Sequence, residues 1–381
     1  MNNNFDHKLS TTLVISLVYP LGPFASILMP LIVGGVIDTY GFTEQQAGTI
    51  ASSEGIGLVI ASVIASFWIR KISWTKMLFI SLLLTALVNV ISANVSDFTL
   101  LLSLRFIAGL TAGTIFAITV AALGDNKAPD RAFGIAQAAQ CIMMGSAFAV
   151  APYLMAGWDV SGVYYMLAAS YIVMMVTLVR FPSKGIEPGD RANQSTEKTN
   201  MFLIWLGLFA SVLFFINVFG FWAFTERIGH AAGLSTETIG FALGISQIIA
   251  FFGALAAAIA SDRYGRMLPL LIVFMGQTIV LWLLVGQFSS MTFFVGAGVF
   301  QALFMVGVSY QMGAIAKIDI KGRFLVMMTA AQGVGAAVGP SLAAAFITSD
   351  GDYSGINMMA AVSGLLCVAI FIFVIKRSQN N

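Results

Sequence analysis

The sequence predicts an all-α membrane protein of twelve transmembrane helices, built as two similar six-helix halves. Three observations predict it: a composition suited to lipid, twelve apolar runs of spanning length, and basic residues gathered on one side of the resulting thread. Of the 381 residues, 59% are hydrophobic and 9% charged, against roughly 45–50% and 25% in ordinary soluble domains. A water-soluble chain of this length has to cover its exterior with polar groups, whereas one that faces lipid leaves it apolar. The net charge of +2 says little about partners, since in such a chain the position of each charge matters more, and no basic cluster suits nucleic acid. Lys8 precedes an apolar stretch too long for a secretory signal and without a small-residue cleavage site, so the first segment is expected to stay in the mature protein.

A helix crossing about 30 Å of hydrocarbon needs roughly 20 apolar residues, and twelve runs meet that length. The first, 11–36, is interrupted at Tyr19-Pro20-Leu21-Gly22-Pro23-Phe24. Each proline removes a backbone donor, and the exposed carbonyls either line a cavity or mark a passive kink. The second (46–69) carries Glu54 and the fourth (99–123) Arg105; the third (77–96), fifth (132–155) and sixth (161–180) complete the first half. Phe181 to Asn200 is the only long polar stretch and reads as a solvated linker, giving bundles at 1–180 and 201–381 joined by 181–200. The seventh run, 201–225, is crowded with aromatic residues and is expected to end at Glu226-Arg227, an exposed pair that contributes little. Runs at 236–260, 267–288, 291–315, 323–348 and 356–375 complete the second half. Gly109 with Gly113, and Gly335 with Gly339, have the small-x-x-x-small spacing of closely packed helices. Cys141 and Cys367 lie inside apolar runs with no metal or disulfide spacing and read as buried fillers.

Lysine and arginine orient such a thread, because cytoplasmic loops retain them. With both termini in the cytoplasm the inner side collects Lys8, Arg70, Lys71, Lys76, Lys127, Arg131, Arg180, Lys184, Arg191, Lys198, Arg263, Arg266, Lys317, Lys321, Arg323, Lys376 and Arg377, seventeen of the nineteen basic residues. Arg227 falls outside and Arg105 within a helix. A wrong number of crossings would scramble this partition. The halves also match at a spacing of 192 residues: Arg131 and Ala-Ala-Gln140 with Arg323 and Ala-Ala-Gln332, and Gly48 with Gly240. Parallel repeats of this kind place a cavity at their seam.

Glu54 is the only acid, and Arg105 the only base, well inside a run as drawn. Each is costly by about 2.5–3.5 kcal/mol or more if unpaired at a helix centre. Counting from the same side, they lie roughly 12 and 9 Å deep at 1.5 Å per residue, so the two are expected to pair across the second and fourth helices. Protonation of Glu54 would then loosen the pair and couple movement to a proton gradient. The alternatives are a permanent ion pair that fixes packing, or Arg105 as the counter-ion of an anionic solute.

The loop after the eighth run reads Ser261-Asp262-Arg263-Tyr264-Gly265-Arg266-Met267, which resembles the D-R-x-G-R signature of the major facilitator superfamily. Arg105-Phe-Ile-Ala-Gly109-Leu-Thr-Ala-Gly113 is similar to that family's R-x-x-x-G-x-x-x-G pattern, and Pro129-Asp130-Arg131-Ala132-Phe133-Gly134 opens the fifth helix. The resemblance implies a two-bundle rocker, with helices one, four, seven and ten along a central path and a cytoplasmic gate involving Asp262, Arg263, Gly265, Arg266 and Arg131. Asp262 could cap the positive end of helix five in the opposite half. Two departures stand out: the loop Arg70-Lys71-Ile72-Ser73-Trp74-Thr75-Lys76 lacks the aspartate and glycine usual there, and the antiporter pattern of helix five is reduced to Ala151-Pro152-Tyr153-Leu154-Met155-Ala156-Gly157.

From the resemblance, Tyr19, Asn217, Phe219, Trp222, Gln301, Gln311, Gln140 and Gln332 are the candidate solute-facing residues, weighed against plain interhelical hydrogen bonding. Few charges, several amides and many aromatics suit a weakly polar or amphiphilic solute. The expectation is a proton-coupled secondary transporter of the bacterial inner membrane, a monomer working outward without a cofactor or metal; the alternative is a symporter importing a sugar or organic acid. An enzyme would need His, Asp, Glu or Cys clustered at one depth, yet His7 and His230 lie outside the runs. A non-transporting receptor would normally add a soluble domain, and no loop is long enough to hold one.

Overall fold

A computed structural model of the chain describes residues 9–126, 129–185, 201–260, 263–318, 323–348 and 352–379. Thirteen α-helices and no strand occur among them. They fall into two compact units, Met1–Gly189 and Asp190–Asn381.

In the first unit, α1 (Leu9–Val18), a 3-10 turn (Tyr19–Leu21), α2 (Phe24–Ile27) and α3 (Met29–Tyr40) make up one broken crossing. Pro20 and Pro30 each stand at the start of a helical piece and Pro23 just before one, positions where a missing N–H does no harm but where a continuous ladder cannot pass. Gly41, with φ 68°, closes α3. Thr43 and Gln46 then form a reciprocal capping box, with N–H to oxygen distances of 3.0 and 3.2 Å, that opens α4 (Glu44–Trp68). After α5 (Trp74–Ser92), the Asp97 carboxylate accepts the Leu100 N–H at 2.8 Å and starts α6 (Phe98–Gly124). The long α7 (Pro129–Met174) bends at Trp158 and Asp159, where φ reaches 50°, so it supplies two crossings before a short 3-10 helix, Met175–Arg180.

The second unit comprises α8 (Met201–Ala231), α9 (Thr236–Ala260), α10 (Met267–Leu283), α11 (Ser290–Ile318), α12 (Arg323–Ala344) and α13 (Ser354–Gln379). Displaced by 192, the bounds of α4 become those of α9, and the caps Thr43 and Asp97 fall on Ser235 and Ser289, whose hydroxyls accept from Thr238 and Thr292. In both units the second and fourth crossings pack together closely, α4 on α6 and α9 on α11. The first crossings differ: Pro20, Pro23 and Pro30 correspond to Val212, Phe215 and Trp222, and α8 accordingly runs 31 residues without a break. Eight of the described helical stretches are by themselves long and apolar enough to span a membrane. Counting α7 twice and adding the broken first crossing, α10 and α12 gives the twelve transmembrane helices.

Two expectations are corrected. The seventh run does not end at Glu226-Arg227: α8 continues to Ala231, and Glu226 is 1% exposed. Its last turns are carried by packing, since Gly229 lies against Ile239 and Phe293. The beginning of the polar stretch after the sixth crossing, in turn, is packed against the first unit, with Phe181 buried and Lys184 exposed. Trp74 N–H donates to the Ser183 carbonyl at 2.8 Å, Thr75 donates to Phe181, and Gly185 sits among Arg70, Trp74 and Asp125, with Arg70 and Asp125 ion-paired.

Candidate functional site

Close approach of α4 and α6 builds the site. A Cβ on Gly109 would collide with the Glu54 backbone, and one on Gly57 or Gly113 with the facing helix, so only glycine lets the two axes come this near. One turn before Gly109, Arg105 is thereby brought beside Glu54, with Nη1 3.7 Å from the carboxylate Oε2. Both are buried, Arg105 fully and Glu54 at 3% exposure.

The guanidinium directs its hydrogen bonds elsewhere. Nη1 donates to Asn89 Oδ1 at 3.1 Å and Nη2 to Ser92 Oγ at 2.7 Å, both on α5. Its carbon lies 4.7 Å from the centre of the Tyr164 ring on α7, a cation–π contact strengthened by desolvation. Glu54 Oε2 and Arg105 Nε have no hydrogen-bond partner. The carboxylate is therefore held near the cation by charge, without a fixed donor. The sequence reading paired Glu54 with Arg105 but missed Asn89, Ser92 and Tyr164. Polar residues one turn apart on the third run were the available signal.

Further along the same face of α7, the Tyr171 hydroxyl donates to the Leu21 carbonyl at 2.9 Å, inside the break of the first crossing, and its ring packs on Phe24. Tyr19, half-buried at that break, packs on Phe116 of α6 at 5.5 Å.

In the second unit Asn217 is buried and its Nδ2 donates to the Ala360 carbonyl of α13. Phe219 stacks on Phe215 and meets Phe304 edge-on, while Trp222 is buried. Gln311 is fully buried and lines a small cavity with Gln277 beneath Phe214, Phe274 and Phe371. Gln301 and Gln332, and in the first unit Gln140, are buried with one amide atom each unpartnered. Of the gate residues, Asp262 and the Arg131 side chain lie outside the described residues; Arg263 is exposed, Gly265 turns the chain with φ 65°, and Arg266 lies near Gly313 of α11.

A second buried acid escaped the sequence reading. Glu226 receives Arg227 Nε at 2.8 Å and approaches His230 Nε2 at 2.9 Å, and that imidazole also meets Thr236 Oγ1 at 3.2 Å. The acid-x-x-x-histidine spacing, which puts both on one helix face, was the signal.

The family model described as the Major Facilitator Superfamily matches residues 20–286 and 207–381. Among solved structures, a D-xylose-proton symporter superimposes with a TM-score of 0.80 at 14% identity, covering 98% of this chain and 99% of that one. The nucleoside transporter NupG gives 0.76 at 16%, covering 97% and 99%. A bacterial homolog of the human lysosomal transporter Spinster, inward-facing and unoccupied, gives 0.74 at 13%, covering 98% and 97%. Likeness at these identities is one of fold. Comparison with curated proteins finds no match.

Proposed function

Because this chain belongs to the major facilitator superfamily, whose members move small solutes across membranes, we propose that it is a proton-coupled secondary transporter of a small organic solute, working by alternating access. The observation that carries the coupling is the arrangement around Glu54. Arg105 is already hydrogen-bonded by Asn89 and Ser92, so Glu54 can take up or release a proton without leaving the guanidinium bare. A buried acid beside a buried base inside an apolar bundle is a functional site by default, because hydrocarbon tolerates neither alone.

The solute is weakly polar or amphiphilic and moves outward. Phenylalanines on α8 and α11 and the uncharged amides of Gln301 and Gln311 support that class. The protein sits in the inner membrane of a bacterium with both termini cytoplasmic, as the seventeen basic residues of the inner loops support, and works as a monomer. With residues 181–185 held on the first unit, the second bundle is taken at 201–381, with Asp262, Arg263, Gly265, Arg266 and Arg131 at the cytoplasmic gate.

In proteoliposomes loaded with a solute panel, an imposed pH gradient drives net movement by the wild type. Glu54→Gln is expected to abolish that movement while solute exchange without a gradient persists. Gradient-driven transport surviving in Glu54→Gln would falsify the coupling role.

A further inference from the structure

The coupling reading leaves open how a charge change at Glu54 reaches the moving parts of the fold. We propose that the Tyr164–Tyr171 face of α7 is the rigid link by which the charge on Glu54 acts on the break in the first crossing, with Tyr171 a positioning residue. This inference rests on the role proposed for Glu54.

Tyr164 and Tyr171 are seven residues apart on the regular part of α7 that follows the bend at Asp159, roughly two turns along one face. One end meets the ion pair, with the Tyr164 ring 4.7 Å from Arg105. The other end meets the break, with the Tyr171 hydroxyl on the Leu21 carbonyl at 2.9 Å. Arg105, Tyr164, Leu21, Tyr171 and Phe24 are each at most 1% exposed, and a close-packed interior passes on a displacement that solvent would absorb. When Glu54 is neutral, the cation loses its counter-charge and leans harder on the ring beside it. That shift moves the helix face and, through it, the bond to Leu21. The break is where motion meets least resistance, because its prolines already interrupt the ladder.

The Tyr164 hydroxyl has no hydrogen-bond partner, so the ring, not the hydroxyl, transmits. At Tyr171 the hydroxyl does. This split separates a link from mere packing.

Amide hydrogen exchange of the full chain in lipid nanodiscs, read by mass spectrometry without solute or gradient, tests the link. Couplings of this kind shift equilibria by about 2- to 30-fold, and Glu54→Gln is expected to change exchange across residues 19–28 within that range. The equivalent stretch 211–220 of α8 should stay unchanged. In a Tyr171→Phe background, or a Tyr164→Leu background, the response to Glu54→Gln should vanish; in Tyr164→Phe it should persist. An unresponsive break, a response of equal size in Tyr171→Phe, or identical behaviour of Tyr164→Phe and Tyr164→Leu overturns the proposal. If Glu54→Gln abolishes proton-driven transport yet leaves exchange unmoved, only the link fails; if the break responds while gradient-driven transport survives, the coupling role itself fails.

Discussion

Arg105 divides its interactions among Asn89, Ser92, the Glu54 carboxylate and the Tyr164 ring, and its side chain is fully buried. Truncating one member of a buried ion pair strands the other, typically at about 3–5 kcal/mol. Arg105→Ala is accordingly expected to lower the unfolding temperature in detergent sharply. Asn89→Leu, which removes a neutral acceptor, should act more mildly, by about 1–3 kcal/mol. Equal effects would show that Glu54 is not charged in the resting protein. The same reasoning separates two acids of the second unit. Glu226 is buried against Arg227 and His230, whereas Glu237, six residues past Ala231, is exposed. Glu226→Ala should destabilise clearly and Glu237→Ala by less than about 1 kcal/mol, a difference that the apolar run ending at residue 225 did not disclose.

At the scale of helices, small residues decide which pairs pack closely. Gly109 meets the Glu54 backbone, while Gly124, at the end of the same helix, has open space where a Cβ would go. Gly109→Val is expected to push α6 off α4, separate Arg105 from Glu54 and abolish transport; Gly124→Ala should be silent. Transport measured beside detergent stability distinguishes the two. Helix ends obey local chemistry instead. Before α13, Asp352 accepts the Ser354 N–H at 2.9 Å and hydroxyl at 2.6 Å, and these bonds hold its carboxyl below the ordinary aspartate range. A depressed pKa stabilises above the unfolded value and is lost as pH falls through the folded one. Protection of the amides at the start of α13, their exchange rate taken relative to the unstructured chain at the same pH, should therefore hold near neutrality and fall on acidification, and Asp352→Asn should remove that pH dependence.

Across the whole molecule, two units of one design carry unlike charges. At the 192-residue displacement Glu54 and Arg105 fall on Ser246 and Ala297, while Glu226, Arg227 and His230 fall on Gly34, Gly35 and Asp38. The ion pair between crossings two and four thus belongs to the first unit alone, and the Glu226 cluster to the second. Repetition supplied the scaffold; charge was placed once in each. Topology is open to direct measurement. Single cysteines replacing Gln45 and Ser290 are expected to react with an impermeant thiol reagent from outside intact cells, and those replacing Lys71 and Tyr264 only after permeabilisation. Native Cys141 and Cys367 are buried and should stay silent. Labelling of all four from one side would undo the orientation proposed for the chain.

Much of this architecture was legible in one dimension. Run length, proline position and the placement of basic residues are local or additive properties, so the twelve crossings, the break at Tyr19 to Phe24 and the proposed orientation follow from the order of residues alone. Contacts are different. A helix in lipid is apolar on the side that faces its neighbours and on the side that faces hydrocarbon, so periodicity cannot reveal which face turns inward. Equal depth suggested that Glu54 meets Arg105. That Asn89 and Ser92 take the guanidinium's hydrogen bonds, that Tyr171 holds the break, and that Glu226 is buried depend on how each helix is rotated against the next, and only the packed tertiary structure sets that rotation.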